Sequence, residues 1–184
     1  MNKGRKILAL CGSTRTNSSN RELINVIIEL YKAKADIQVF EGLDQIPHFN
    51  PDRDDEHPPK QVSFFRRQVK EADGILICTP EYAMGVPGTL KNAIDWTVSS
   101  MQFSHKPVAL ITASSQGYKA HASLLETLKV IECDIPDTSQ LVISFVKTKV
   151  RDNKIIDSKT MTQVQQVMDS LFRSIEATQT ISHD

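Results

Sequence analysis

Apolar and polar residues follow two different rhythms along this chain. Three continuous apolar runs, Ile7-Leu8-Ala9-Leu10, Gly74-Ile75-Leu76-Ile77-Cys78 and Pro107-Val108-Ala109-Leu110-Ile111-Thr112, have the length and composition of strands buried on both faces of a parallel sheet. Asp36-Ile37-Gln38-Val39-Phe40 and Leu141-Val142-Ile143 read as shorter strands. Between these runs apolar residues recur at the spacing of one helical face. Leu23, Ile24, Ile27, Ile28 and Tyr31 follow the first run, and Val62, Phe65, Val69 and Ala72 precede the Gly74 run. Leu90, Ala93, Ile94 and Val98 mark a helix starting near Thr89; Leu124, Leu125, Leu128 and Ile131 mark the next. Met161, Val164, Met168, Leu171 and Ile175 mark a last helix from about Ser158. The polar tail from Thr178 to Asp184 is expected to fray.

Strands alternating with helices predict an α/β fold with a parallel sheet covered on both faces. Right-handed crossovers and this length favour a doubly wound, flavodoxin-like sheet of order 2-1-3-4-5. A single domain is expected across residues 1–184, without repeats or low-complexity segments. In such a sheet ligands bind beyond the carboxyl ends of the strands, at the switch point between the first and third. The turns after strands one, three and four meet there, and those turns carry the unusual chemistry.

Composition narrows the partners. The 22 basic and 22 acidic residues cancel, and no long basic run invites nucleic acid. No apolar run approaches the roughly 20 residues of a membrane helix. The first apolar run enters Gly12-Ser13-Thr14-Arg15 rather than a small-residue cleavage site, so no signal peptide is expected. The 3 cysteines, Cys11, Cys78 and Cys133, are widely spaced and form no CxxC pair. That argues against a disulfide framework or zinc site and fits a reduced, cytoplasmic setting, with Cys11 and Cys78 as small core residues.

The first turn, through Gly12-Ser13-Thr14-Arg15-Thr16-Asn17-Ser18-Ser19-Asn20, offers hydroxyls, amides and one guanidinium but no carboxylate. Its end is the start of a helix, where free N–H groups and the dipole attract an anion. That chemistry suits a phosphate, although Ser, Thr and Asn are also ordinary turn and cap residues. It is neither a Walker loop nor a Gly-x-Gly-x-x-Gly motif. Cys11 and Arg15 stand too close for a thiol phosphatase loop. The second turn, Thr79-Pro80-Glu81-Tyr82-Ala83-Met84-Gly85-Val86-Pro87-Gly88, is stiffened by proline and shaped by glycine, and can read the edge of a flat heterocycle. Tyr82 is either pocket lining or packing, and Glu81 is a candidate cap for loop N–H groups. Trp96 reads as core or interface. The third turn adds Ser114, Ser115 and Gly117. The long connection from Glu41 to Pro58 suggests function or an interface. Its Asp52, Asp54, Asp55 and Glu56 read as a solvated acidic turn, and no metal site is expected.

The first turn, together with Pro80-Glu81-Tyr82-Ala83-Met84-Gly85-Val86-Pro87-Gly88-Thr89-Leu90-Lys91-Asn92-Ala93-Ile94-Asp95-Trp96, resembles the NAD(P)H-dependent FMN reductase family. That family includes quinone, azo-dye and chromate reductases. The resemblance implies a flavodoxin-like domain holding FMN non-covalently, with NADPH or NADH as co-substrate. Ser13, Arg15, Ser18, Ser19 and Asn20 would hold the phosphate. Pro80, Glu81, Tyr82 and Ala83 would flank the ring, with Ser115 and Gly117 as a third contact. No side chain is assigned as catalytic, because the hydride chemistry belongs to the flavin. The family often has Asn where this chain has Ala83, which puts a side-chain contact in doubt. The resemblance also implies a homodimer or homotetramer, with the Glu41–Pro58 connection and Trp96 as interface candidates. The expected activity is hydride transfer from NAD(P)H through FMN to a small acceptor: a quinone, azo, nitro or metal-oxyanion compound. The rivals are a flavodoxin-type electron carrier, usually far more acidic, and a flavin-free regulatory domain.

Overall fold

The computed structural model describes residues 4–181. Five parallel strands, β1 (Arg5–Cys11), β2 (Ala35–Val39), β3 (Gly74–Thr79), β4 (Val108–Ala113) and β5 (Gln140–Ile143), form one sheet in the order β2-β1-β3-β4-β5. This is the order that right-handed crossovers predict from the sequence. Cys11 lies opposite Cys78, and Thr79 opposite Thr112, so β1, β3 and β4 end close together at their carboxyl ends.

Period-two alternation along each strand divides the core into two layers. Ile7, Ala9 and Cys11 join the layer built with helices α1 (Ser19–Tyr31) and α5 (Ser158–Ile181). Leu8 and Leu10 join the layer built with α2 (Lys60–Glu71), α3 (Gly88–Asp95) and α4 (Tyr118–Val130). β3 and β4 are buried along their whole length, as their unbroken apolar runs require. Cys11 and Cys78 are buried, and burial pushes both thiols up.

Three expectations need correction. The segment expected to fray from Thr178 continues α5 as far as Ile181, and residues 182–184 lie outside those described. Trp96 is fully enclosed within its own chain, so it is core and not an interface residue. Its indole Nε1 donates to the Pro47 carbonyl at 2.8 Å. Asp54 is not part of a solvated turn: its side chain is only 9% exposed, paired with Arg66 and accepting from the Ser99 hydroxyl at 2.7 Å. Asn92 completes this attachment by accepting from the Phe49 N–H at 2.8 Å and donating to the Pro47 carbonyl at 3.0 Å. The long connection is thus tied across α2 and α3.

Beyond β5 the chain forms an unanticipated antiparallel pair, β6 (Val150–Arg151) and β7 (Lys154–Ile155), around Asp152 and Asn153, both at positive φ. Two left-handed central residues are the mark of a tight hairpin turn, for which Asp and Asn are suited. The pair leans on α1, where Asn25 Nδ2 donates to Asn153 Oδ1 at 3.1 Å and Val150 enters the α1 layer of the core.

Candidate functional site

The carboxyl edge of the sheet opens into a cleft of about 430 Å³. Ser13, Arg15, Ser18, Ser19 and Asn20 enter it from the turn after β1, Pro80, Glu81 and Tyr82 from the turn after β3, and Ser115 from the turn after β4. The Ser13 and Tyr82 hydroxyls stand 3.3 Å apart, which joins the first two turns directly. Two of the candidate residues lie off the cleft wall. Ala83 occupies the tip of its turn, and Gly117 sits behind the third.

The first turn can follow the sheet so closely because of Gly12. A Cβ there would lie 2.2 Å from Thr79 Oγ1, while the Gly12 N–H extends the ladder to the Cys78 carbonyl at 2.8 Å. The chain then reaches α1 through Ser18, whose hydroxyl caps the helix by accepting from the Arg21 N–H at 3.4 Å. Asn20 is only 3% exposed; its Nδ2 donates to the Ala113 carbonyl at 2.9 Å, yet its Oδ1 has no partner. A buried acceptor left unpaired costs about 1–3 kcal/mol, so this cleft suits a molecule that brings an O–H or N–H. Arg15 is exposed and pairs with no carboxylate among the described residues.

The second turn is a two-residue hairpin. Tyr82 and Gly85 exchange backbone hydrogen bonds of 3.0 and 2.9 Å across Ala83 and Met84, which sit at φ 48° and 60°. Tyr82 is left 45% exposed beside the cleft. The Glu81 side chain turns the other way. Its carboxylate accepts from the N–H groups of Lys119 and Ala120, at 2.8 and 2.9 Å, and more loosely from Gly117 at 3.4 Å. It caps α4, whose N-cap residue Gly117, at φ 98°, carries no capping side chain. The Ser114 hydroxyl adds a bond from the Glu81 N–H at 3.2 Å, so the second and third turns are fastened together.

Sequence reasoning missed a fourth wall, Phe145, Val146, Lys147 and Thr148, from the turn after β5. The available signal was topological: β5 neighbours β4, so its carboxyl end faces the same crevice. Phe145 sits at φ 54°, with its N–H on the Ser115 carbonyl at 3.0 Å, and the Val146 N–H bonds the Ser114 carbonyl at the same distance.

A helix start that attracts an anion, an unpaired guanidinium and an exposed tyrosine suit a phosphorylated ligand without naming one; comparison with known proteins narrows it. Residues 5–148 match the model of the NADPH-dependent FMN reductase family. The chain belongs to that family. It is 30% identical over 172 residues to an NAD(P)H-dependent FMN reductase of Pseudomonas aeruginosa, covering 90% of this chain and 92% of the relative. It is 27% identical over 169 residues to a quinone reductase of Escherichia coli, covering 88% and 90%. Among solved structures it is similar to FerB, a flavoenzyme NAD(P)H:(acceptor) oxidoreductase from Paracoccus denitrificans. The TM-score is 0.76 at 25% identity, covering 94% of this chain and 98% of that one.

Family membership makes the chain an oxidoreductase and a flavoprotein whose cofactor is FMN. The cleft suits that group. Helix N–H groups and Arg15 match a phosphate, and the orphan Asn20 Oδ1 matches a hydroxylated linker. Proline and tyrosine at the other turn match a flat ring. Among the described residues no group of His, Cys, Asp or Glu could hold a metal ion, and no helix is long and apolar enough to cross a membrane.

Proposed function

We propose that this chain oxidises NAD(P)H through FMN and passes the electrons to a small oxidised acceptor, with the two substrates taking turns in one cleft. The acceptor classes are quinones, azo and nitro compounds and metal oxyanions. The reading is carried by one observation: the turns after β1, β3 and β4 line a single crevice, with Arg15 and Tyr82 on the same wall system. FMN, when bound, supplies the hydride and electron chemistry that amino-acid side chains lack. The protein's part is to hold and to tune. Ser13, Ser18, Ser19 and Arg15 hold the phosphate at the start of α1, where the dipole favours negative charge. Asn20 accepts from the linker between phosphate and ring. Pro80 and Tyr82 would flank the ring from the cleft wall, and Ala83, off that wall at the tip of the turn, would favour negative charge on the ring only through the turn's backbone dipoles. Glu81 acts through its bonds to α4 and Ser115 through the third turn, with Gly117 fixing that turn's shape. No thiol is recruited, since burial keeps Cys11 protonated.

A proposal of self-association belongs with this reading. Exposed Val98, Met101 and Val130 offer an apolar face for a dimer or tetramer, which sedimentation would measure. A cytoplasmic setting is proposed with it.

The visible spectrum of the purified protein, followed by anaerobic addition of NADH or NADPH, tests the core of the reading. A yellow protein bleached by a nicotinamide and recoloured by an added quinone is the expected result. Parallel lines in double-reciprocal initial-rate plots are expected if substrates alternate. Arg15→Ala combined with Ser13→Ala is expected to abolish FMN retention on gel filtration; unchanged retention would overturn the phosphate assignment.

A further inference from the structure

We infer that Lys147 is a second cation for the phosphate end of the cleft, resting on the reading of that cleft as an FMN site. The argument begins with where the turn after β5 goes. Phe145, held in a left-handed conformation, breaks the strand and directs the chain sideways. Val146 then enters the core layer that contains Leu23 and Ile24 of α1, and Val150 follows it into the same layer. The β6–β7 pair beyond lies along α1, tied to it by Asn25 and Asn153. The segment from Phe145 to Thr148 therefore crosses from the edge of the sheet to the α1 side of the cleft. Lys147 and Thr148 line the same cleft as Asn17, Ser18, Ser19 and Asn20.

The charges of the wall leave that ammonium without a protein partner. Among the described residues the cleft holds one carboxylate, Glu81, and its oxygens are engaged by the backbone at the start of α4. Lys147 is exposed, and it pairs with no acidic residue among those described. Thr148 donates its hydroxyl to the Phe145 carbonyl at 2.8 Å, so the lysine is the group of this segment free to reach an anion. Two bonds, Phe145 N–H to Ser115 and Val146 N–H to Ser114, hold the segment against the third turn. A dianion bound in this cleft would thus meet Arg15 from the first turn and Lys147 from the fourth.

The test compares FMN with riboflavin, which shares the ring and linker but lacks the phosphate. Flavin-free full-length protein is titrated with each by fluorescence quenching at low and high salt. Lys147→Ala is expected to weaken FMN about tenfold, to flatten its salt dependence, and to leave riboflavin affinity unchanged. Lys147→Arg is expected to restore FMN binding. Equal loss for both flavins, or FMN affinity unchanged, would overturn the inference. A raised KM for NADPH over NADH with intact FMN binding would also overturn it, assigning the lysine to the co-substrate's phosphate instead. Failure of the unsubstituted protein to bind either flavin would sink the cofactor reading itself, a separate outcome.

Discussion

Ala83 is a residue whose backbone and identity disagree. The Tyr82–Gly85 hairpin requires two left-handed central residues, and Ala83 and Met84 supply them at φ 48° and 60° without being suited to it. A Cβ in that region costs roughly 1–2 kcal/mol, a cost that Asn relieves by bonding locally. An Asn at this position would therefore have a backbone advantage, apart from anything it did for ligands. Ala83→Asn is expected to stabilise the protein by about 1 kcal/mol, raising the thermal midpoint by about 2–4 °C. Ala83→Val is expected to lower it, since a β-branched side chain tolerates positive φ worst. Differential scanning fluorimetry of both variants measures the pair.

At the scale of elements, the cleft is held by ties between turns. Glu81 belongs to the turn after β3 but completes the start of α4, and Ser114 answers from the turn after β4. Glu81→Ala is expected to cost about 1–2 kcal/mol in urea unfolding, the loss of a charged cap, and to increase hydrogen exchange at Lys119 and Ala120. Glu81→Gln is expected to recover part of that loss. The strands and long helices were legible from the chain because each is long enough to show its period; β3 and β4, apolar throughout, could only be central. The first three turns were legible from their composition and their likeness to a known family. The fourth was not, since Phe145-Val146-Lys147-Thr148 has neither period nor turn residues, and its position depends on a backbone reversal at Phe145. The hairpin turn between β6 and β7 was readable in principle from Asp152-Asn153, but strands of two residues give no alternation to notice.

For the molecule as a whole, two core layers and one sheet make the frame, and the connection from Glu41 to Pro58 is fastened over one side of it. Its acidic residues looked alike in sequence; only the fold reveals that Asp54 is drawn inward to Arg66. Burial opposes ionisation there, but the Ser99 hydroxyl and the Arg66 guanidinium outweigh it and hold the Asp54 carboxyl below its ordinary value of 3.8. A carboxyl lowered on folding stabilises the folded form above that ordinary value, and the contribution fades as pH falls through the lowered one. Acidification below about 3.8 is thus expected to loosen this connection, read as faster hydrogen exchange at Phe49 and Asp52; Asp54→Asn should remove that acid response. The same connection covers the single Trp of the chain, Trp96, which meets Phe49 edge-on with ring centroids 5.1 Å apart. All indole emission from this protein consequently comes from one dry spot, blue when the cover is closed and shifting red when water enters. The molecule carries its own lamp, and a flavin that absorbs in that colour would dim it on arrival without any label being attached.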